Sequence, residues 1–223
     1  MKTTRQWSVA YLVQRPYRSV LAAVGVLVFS VTLWRGYDIL IGANLGTIAP
    51  GQAYRSAQLT GPGFRAAINT MGLRSVINLR GENPEAEWYR EEVAACRAAG
   101  IQHYDIEMSA RQLPSPNVVE QLLNALRTAP RPLLIHCKNG ADRTGLASAL
   151  WLISFQGTPP AAAAQELTMW HGHVPIGATT AMDRFFELYV QTGQGMDLEQ
   201  WVRQKYPMEY TRQTHSPTNT LGE

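Results

Sequence analysis

A strand, a loop and a helix follow one another directly between residues 132 and 153. The first five residues, PLLIH, are compact and apolar and predict a short buried strand. The last eight, LASALWLI, are apolar nearly all round and predict a central buried helix. The nine residues between them, 137–145, are mostly polar and contain two glycines. Ligands of α/β sheets bind where strands end and helices begin, so this loop is the first candidate site.

The loop carries the residue types that hold an anion next to a thiolate. Backbone N–H groups of a loop that curls into a helix N-terminus converge on one point, and the helix dipole adds positive charge there. That field stabilises a phosphate dianion and also the thiolate of Cys137 at the end of the strand. Arg143 follows six residues later, where its planar guanidinium can bind two phosphate oxygens. We predict that Cys137 is the nucleophile and that Arg143 binds the phosphate.

The roles of the other residues in and next to the loop are predicted from their positions in the sequence. Gly140 permits the curl of the loop, and Gly145 permits close packing of the following helix against the sheet. Thr144 can donate its hydroxyl to the thiolate, which then leaves more readily in a second step. His136 is interpreted as a neighbour that orients the loop and tunes the thiolate. The predicted substrate-binding residues are Lys138, Asn139, Gly140, Ala141, Thr144 and Gly145.

Beyond the loop, β-rich segments alternate with helical ones. An entry strand or hairpin is predicted at residues 44–56, and strands at 74–79, 102–107 and 132–136. Helices are predicted at 60–71, 84–99, from 115, and at 146–153, 159–170, 180–190 and 197–206, with Thr180 and Asp183 as a capping box. This alternation predicts an α/β fold with a mostly parallel central sheet flanked by helices. We place a catalytic domain at 44–206 and a flexible, polar tail at 207–223.

The N-terminal part has the pattern of a membrane anchor. Residues 19–34 form a run of sixteen residues without a charge, preceded by Lys2, Arg5, Arg15 and Arg18 and followed by Arg35. Sixteen helical residues cover about 24 Å, a little less than a hydrocarbon core of ~30 Å. We predict a single transmembrane anchor at 19–35, while a cleaved signal peptide and a buried helix stay open. The positive-inside rule places residues 1–18 in the cytoplasm and the catalytic domain outside the inner (plasma) membrane, in a bacterial periplasm.

The loop resembles the signature of the protein tyrosine phosphatase superfamily. The match consists of His136-Cys137, five residues, and then Arg143-Thr144-Gly145. The full string CKNGADRTG is similar to that of atypical dual-specificity phosphatases and of bacterial phosphatases acting on tyrosine and phosphoinositides. YRSAQL (54–59) and VINLR (76–80) resemble two upstream stretches, so the likeness covers roughly residues 44–190. The resemblance implies a cysteine-phosphatase fold, a phosphocysteine intermediate, and neither a metal nor a cofactor.

The acid that protonates the leaving group is less defined. Many members of the superfamily place an Asp about thirty residues before the cysteine, but residues 107–112 contain none. In some members with an Asp-Arg pair in the loop, the Asp is the acid, which favours Asp142 as a third catalytic residue here. Asp105 and the absence of any such acid stay open, as does a purely structural role for Asp142, in which it caps the helix or pairs with Arg143.

Several other residues have an ordinary structural interpretation beside a functional one. Cys96 is predicted to be a core residue. Lys138 is either a solvated charge or an attractor of highly anionic substrates. Arg80 and Glu82 either border the pocket or form a surface ion pair. His171 and His173 are two positions apart and have no carboxylate or Cys beside them, which is weak evidence for a metal site. A loop near the candidate site is the favoured interpretation.

Composition limits the partners. The net charge of +3 suits an anionic ligand, but without a Lys/Arg run it does not indicate nucleic acid. The predicted substrate is a phosphorylated membrane lipid, such as lipid A or a phosphoglycerolipid, or a protein phosphotyrosine. A catalytically silent phosphate-binding module is the alternative, and a sulfur-transfer or arsenate-reducing enzyme is a weaker one. The sequence makes no prediction of the oligomeric state.

Overall fold

The computed structural model describes residues 10–215 of the 223-residue chain, with side chains described from Tyr17 onward except at Leu40. The chain divides into two compact units, Met1–Asp38 and Ile39–Glu223. The predictions for residues 1–9 and for the tail beyond 215 lie outside the described residues. The predicted domain boundaries therefore stay predictions in those parts.

The first unit contains most of one long helix, α1 (Ala10–Leu40). Within it, Tyr17–Ile39 is a stretch of 23 residues that is long and apolar enough to cross a membrane. At 1.5 Å per residue the stretch covers about 34 Å, more than the sixteen uncharged residues alone. By length and composition the helix is a candidate span, and the anchor itself stays a prediction.

The second unit is built on a mixed sheet of five short strands. They are β1 (Gly46–Ala49), β2 (Ala53–Ser56), β3 (Ser75–Asn78), β4 (Gln102–Asp105) and β5 (Leu133–His136). Their order in the sheet is β1-β2-β5-β3-β4, and all pairs are parallel except β1 with β2. The α/β class is confirmed, with an antiparallel edge strand added to the predicted parallel pairs.

The register of the parallel strands brings their carboxyl ends into one row. His136 of β5 pairs with Ser56 on one side and with Asn78 on the other, and Asn78 pairs with Asp105. Each of these strands ends at its member of the row. Loops that leave the sheet at this edge therefore begin side by side, and the loop that starts at Cys137 leaves from the central strand.

Helices cover both faces of the sheet. They are α2 (Gly61–Met71), α3 (Glu87–Ala99), α4 (Pro116–Thr128), α5 (Asp142–Gln156), α6 (Pro160–Ala163), α7 (Ala181–Thr192), α8 (Leu198–Gln204) and α9 (Tyr206–Thr214). Leu134 faces a smaller core with α2 and α3, whereas its neighbours Leu133 and Ile135 face a larger core with α4, α5 and α7. This alternation is the period of two that a buried strand requires. Cys96 lies in the smaller core, as predicted.

The predicted helix at 159–170 is wrong after its first turn. The structure has α6 followed by two 3₁₀ turns, Ala164–Glu166 and Met169–His171, because the backbone leaves the helical region at Leu167 and Thr168. The predicted capping box also does not form. Thr180 has helical backbone angles, and its hydroxyl donates to the Gly177 carbonyl.

The C-terminal part differs from the predicted flexible tail. Helix α9 occupies Tyr206–Thr214, and the Tyr206 ring is fully buried against Phe185 and Trp201. The Tyr206 hydroxyl also donates to the Pro114 carbonyl at 2.5 Å. Residues 207–214 of the predicted tail are therefore helical, and the helix starts at Tyr206, the last residue of the predicted helix 197–206, whose aromatic ring is packed in the core.

Candidate active site

Cys137 is the first residue after the central strand β5 and is 2% exposed. Helix α5 begins five residues later at Asp142, so Arg143 and Thr144 lie in its first turn. The thiol side chain also belongs to the edge of the larger core. The structure therefore places the predicted nucleophile at the floor of a strand-to-helix loop, beside the N-terminus of a fifteen-residue helix.

The carbonyl groups of the loop are bonded by residues that surround it. The Lys138 carbonyl accepts from Gln58 N at 3.2 Å, the Asn139 carbonyl from Asn44 Nδ2 at 3.1 Å, and the Gly140 carbonyl from an Arg55 guanidinium nitrogen at 2.8 Å. In a trans peptide the N–H points opposite to the C=O. Because three successive carbonyls are held from outside, the three following N–H groups point toward the inside of the loop. This arrangement is a nest suited to an anion.

Arg55 is a supporting residue that the sequence analysis did not single out. Its side chain is 1% exposed and bonds the Gly140 carbonyl, the Glu166 carbonyl at 3.2 Å and the Glu166 carboxylate. A buried guanidinium is stable only when paired, and this pairing joins the loop to the 3₁₀ turn after α6. The arrangement keeps the loop carbonyl turned away from the anion position.

Gly140 has a backbone φ of +68°, in the left-handed region. A Cβ at this position would lie 2.6 Å from Ala57 N and 2.8 Å from Ser56 C. The loop therefore needs glycine here both for its backbone angle and for the close approach to strand β2. The predicted role of Gly140 in the curl agrees with this geometry.

Gly145 packs closely, but not against the sheet as we predicted. A Cβ there would lie 2.7 Å from the Glu166 carbonyl oxygen and 2.8 Å from Leu167 Cδ2. The predicted contact is therefore wrong in its partner, because the 3₁₀ turn after α6 covers this side of α5. The predicted continuous helix at 159–170 would not have placed this turn there.

Arg143 is half-buried and is held by backbone. One terminal nitrogen donates to the Leu79 carbonyl at 3.3 Å and to the Met108 carbonyl at 3.2 Å, and Nε has no partner among the described residues. Leu79 directly follows β3, and Met108 lies three residues after the end of β4, so both carbonyls belong to segments that leave the sheet at the same edge as Cys137. Positioned donors without a protein acceptor are what a bound phosphate oxygen requires.

A second guanidinium, that of Arg80, lies close to Arg143. It stacks over the Trp88 ring at 3.5 Å and donates to Gln58 Oε1 at 2.9 Å. Burial and the nearby Arg143 charge lower the pKa of Arg80, while Glu92 and Cys137 oppose that shift. Of the two interpretations left open, the structure favours Arg80 at the border of the pocket.

His136 contacts a fully buried carboxylate rather than the loop itself. Its Nε2 lies 2.9 Å from Glu92 Oε1, and the same oxygen lies 2.7 Å from His103 Nε2. Gln58 donates to the other oxygen at 2.7 Å. Burial acts to raise the pKa of Glu92, but His136 and these hydrogen bonds outweigh it and lower the pKa to about 2. Glu92 was missed because it lies on a helix whose sequence looks merely amphipathic.

Asp105 is engaged in the same network. Its carboxylate accepts from Tyr89 at 2.6 Å and from Asn78 at 2.7 Å, and lies 3.4 Å from His103 Nδ1. Burial acts to raise the pKa of Asp105, but the hydrogen bonds from His103 and Tyr89 lower it overall. Both oxygens of Asp105 accept hydrogen bonds, so neither is left to carry a proton to a leaving group, which argues against Asp105 as the acid.

Asp142 contacts a histidine, not Arg143. Its Oδ1 lies 2.7 Å from His173 Nδ1, and His173 Nε2 lies 2.9 Å from Asp183 Oδ2. His173 is fully buried, whereas the Asp142 side chain is 17% exposed. The loop at 168–177 is thus near the candidate site, as predicted.

The remaining predicted residues divide by exposure. Lys138 and Asn139 are exposed, so their side chains reach solvent while their backbone forms the loop. Ala141 and Thr144 are buried, and the Thr144 hydroxyl has no partner among the described residues. The structure places Cys137 at the start of the loop, and Asp142 and Arg143 in the helical turn that ends it. The chemical roles of these three residues stay predictions.

Comparison with known proteins agrees with this geometry. Residues 47–184 match the family model described as DSP-PTPase phosphatase fused to NAD+ kinase. The chain belongs to this dual-specificity phosphatase family. It is therefore a member of the protein tyrosine phosphatase superfamily, in the atypical dual-specificity branch.

Individual relatives match over part of the chain. Inositol diphosphatase SIW14 of Saccharomyces cerevisiae is 31% identical over 100 residues, which are 43% of this chain and about a third (34%) of that protein. The crystal structure of the SIW14 core catalytic domain superposes with a TM-score of 0.54 at 22% identity, covering 67% of this chain and 87% of that one. P. aeruginosa TpbA superposes with a TM-score of 0.50 at 23% identity, covering 66% and 84%. These superpositions support the fold.

Proposed function

We propose that this DSP-PTPase family member is a cysteine-dependent phosphatase that works through a phosphocysteine. Cys137 sulfur attacks phosphorus, an S–P bond forms, the P–O bond to the alcohol breaks, and Asp142 gives its proton to the leaving oxygen. Water then attacks phosphorus, the S–P bond breaks, and the water's proton passes to Asp142. Phosphate leaves and the thiolate returns, so one monoester and one water give one alcohol and one phosphate.

One observation supports this proposal above the others. The loop between Cys137 and Arg143 has three successive carbonyls bonded from outside, which turns its N–H groups inward between a sulfur and a guanidinium. Such donors bind a phosphoryl group in the ground state and stabilise the charge that develops in the transition state. A silent phosphate-binding module needs the same nest but no nucleophile at its floor, so the placement of Cys137 favours the enzyme.

For the substrate we favour the phosphate headgroup of a membrane lipid. Asn44 bonds both the Asn139 carbonyl of the loop and the His171 carbonyl, so the segment around His171 lies beside the nest. The same segment carries Met169 and Ile176, which are 73% and 74% exposed. Exposed apolar side chains on a segment that borders an anion site suit a lipid, and a membrane anchor would raise the local substrate concentration.

A soluble inositol phosphate is the second candidate. The relative SIW14 is an inositol diphosphatase, and Arg80 adds a second guanidinium next to Arg143. Two cations suit a substrate with more than one phosphate group. For protein phosphotyrosine, the other predicted substrate, residues 17–215 show no specific feature in this site.

The test of catalysis uses the full chain in detergent micelles with p-nitrophenyl phosphate. We expect turnover without added metal and unchanged by a chelator, and loss of at least about 1000-fold in Cys137→Ser. Cys96→Ser is the matched control and should retain activity because that thiol lies in the smaller core. Full activity of Cys137→Ser would refute the proposal.

The substrate is tested with three probes at equal phosphate concentration. They are phosphatidic acid in vesicles, a soluble inositol polyphosphate and a phosphotyrosine peptide. We expect the vesicle substrate to be hydrolysed fastest, and Met169→Ser with Ile176→Ser to slow that reaction alone. Preference for the inositol phosphate, unaffected by the double substitution, would favour the second candidate.

We also propose that residues 19–35 anchor the chain in the inner membrane with the catalytic domain outside the cytoplasm. The apolar composition of α1 and the basic residues before it support this orientation. A reporter fused after Glu223 that is active only outside the cytoplasm should give a signal. A signal from a cytoplasmic reporter would reverse the orientation.

A further inference from the structure

His173 lies between two carboxylates that come from different helices. Nδ1 is 2.7 Å from Asp142 Oδ1 at the start of α5, and Nε2 is 2.9 Å from Asp183 Oδ2 in the first turn of α7. The imidazole is fully buried. Of these three residues, only Asp142 belongs to the predicted catalytic set. The reaction steps above assign no role to His173 or Asp183.

We propose that His173, fixed by Asp183, is the positioning residue for the general acid Asp142. It occupies Oδ1 of Asp142, so Oδ2 is the oxygen left to give a proton to the leaving group. The inference rests on the proposed function, because it needs Asp142 to act on a substrate held at Cys137. Neither the sequence pattern nor the family assignment gives His173 a role.

The local backbone holds the imidazole in place. His173 N donates to the Thr168 carbonyl at 3.0 Å, and Gly172 before it has a φ of +79°. The His171 carbonyl is bonded by Asn44, which also bonds the loop at Asn139. The segment and the nest are therefore tied to the same side chain, and His173 cannot move far without moving both.

The two neighbouring carboxylates favour the protonated form of His173. The hydrogen bond with Asp142 raises the pKa of His173 from its ordinary value, burial opposes the shift, and the hydrogen bond with Asp183 adds to it. These two carboxylates are the charged groups that face the imidazole. With a proton on each ring nitrogen, His173 donates from Nδ1 to Asp142 Oδ1 and stabilises the carboxylate that forms when Oδ2 releases its proton.

The proton balance is simple. Before the first step Asp142 carries one proton on Oδ2, and His173 carries one on each nitrogen. As the P–O bond breaks, the Oδ2 proton moves to the leaving oxygen and both imidazole protons stay on nitrogen. In the second step water returns a proton to Oδ2. His173 thus never gives up a proton, and its contribution is to hold one oxygen and to stabilise the charge on the carboxylate.

Substitutions at His173 distinguish its role in holding Asp142 from its role in stabilising the charge of that carboxylate. In His173→Asn the amide nitrogen takes about the place of Nδ1 and can still donate to Asp142, whereas in His173→Gln it takes about the place of Nε2 and reaches Asp183. His215→Asn is the matched control, since His215 is an exposed histidine that bonds its own helix at Thr211. All are made in the full chain, and circular dichroism melting checks that each is folded.

The readout compares a poor and a good leaving group, phenyl phosphate and p-nitrophenyl phosphate. We expect His173→Gln to lower kcat for phenyl phosphate about 10- to 100-fold, to change p-nitrophenyl phosphate less than about threefold, and to leave KM unchanged. Near neutral pH, His173→Asn should retain most of the wild-type kcat for phenyl phosphate that His173→Gln loses. It should also lose any alkaline decline of kcat that comes from His173 deprotonation.

The double variant decides the assignment. In an Asp142→Asn background, His173→Gln should cause no further loss, because the group it positions is already gone. A further loss there, or equal losses for both leaving groups, would overturn the role of His173. If Cys137→Ser keeps activity, the proposed function itself fails, and that result is distinct because it does not depend on His173.

Discussion

Glu92 holds His136, the residue immediately before the predicted nucleophile Cys137, from a helix 44 positions earlier in the chain. The distance from Glu92 Oε1 to His136 Nε2 is 2.9 Å, and both side chains are fully buried. His136 is in turn the last residue of the central strand, so the carboxylate fixes the point at which the loop begins. This pair is a structural link between α3 and the candidate active site.

We predict that removing the Glu92 side chain destabilises the catalytic unit. Glu92→Ala leaves His136 and His103 without their shared acceptor, and breaking a buried pair from one side costs about 3–5 kcal/mol. Urea unfolding followed by tryptophan fluorescence measures the change. Glu91→Ala is the neighbouring control and should cost about 1 kcal/mol or less. Equal losses for both variants would show that the buried link contributes nothing.

The same network sets a pH range of stability. The pKa of Glu92 is lowered to about 2, so its contribution is present above about pH 4.5 and is lost as the pH falls toward 2. The pKa of His103 is raised to about 9 by Asp105 and Glu92 against the effect of burial, so its contribution is present below about pH 6.5 and is lost as the pH rises through 9.

Unfolding free energy measured against pH should therefore fall on both sides of a plateau between these limits. In His103→Gln the alkaline decline should become shallower while the acid decline remains. A curve whose alkaline side is the same in the variant would mean that His103 does not keep its extra proton in the folded protein.

Gly140 should not tolerate alanine. The positive φ and the 2.6 Å approach to Ala57 N both act against a Cβ, so Gly140→Ala should reduce kcat/KM at least about 100-fold by displacing the nest. Gly100→Ala is the control, since Gly100 has a φ of +66° but open space around it. It should cost about 1 kcal/mol of stability and no activity. Similar activities of the two variants would contradict the close approach.

Arg80 should contribute to the binding of substrates with more than one phosphate. We expect Arg80→Ala to raise KM for an inositol polyphosphate about tenfold and to change KM for p-nitrophenyl phosphate about twofold or less. Arg90→Ala, which removes an exposed guanidinium bonded to the Pro84 and Glu85 carbonyls, is the control. The same change of KM for both substrates would place Arg80 at the reacting phosphate instead of beside it.

The parts of the fold that sequence patterns predicted are local. The strand, loop and helix around Cys137 follow from a run of apolar residues, two glycines and the spacing to Arg143, all within about twenty positions. The same local logic failed at 159–170, because one change of backbone angles at Leu167 breaks a segment that looks helical by composition. Residues on the two sides of that break reach the site: Glu166 bonds Arg55, and His173 bonds Asp142.

The supporting residues of the site come from far along the chain. Arg55 bonds a carbonyl 85 positions away, Glu92 bonds a histidine 44 positions away, and Asp142 bonds His173 31 positions away. No periodicity joins such residues, and each looks like an ordinary charge in its own segment. The row formed by the strand ends explains why they meet, and strand order is a property of the whole fold.

Trapping the covalent intermediate tests the central claim most directly. The full chain is mixed with a ³²P-labelled aryl phosphate, quenched in acid within milliseconds and counted after denaturing gel separation. We predict label on the wild-type chain, more label in Asp142→Asn if the second step slows more than the first, and none in Cys137→Ser. Label that persists in Cys137→Ser, or turnover with no label at any quench time, would contradict a phosphocysteine at Cys137.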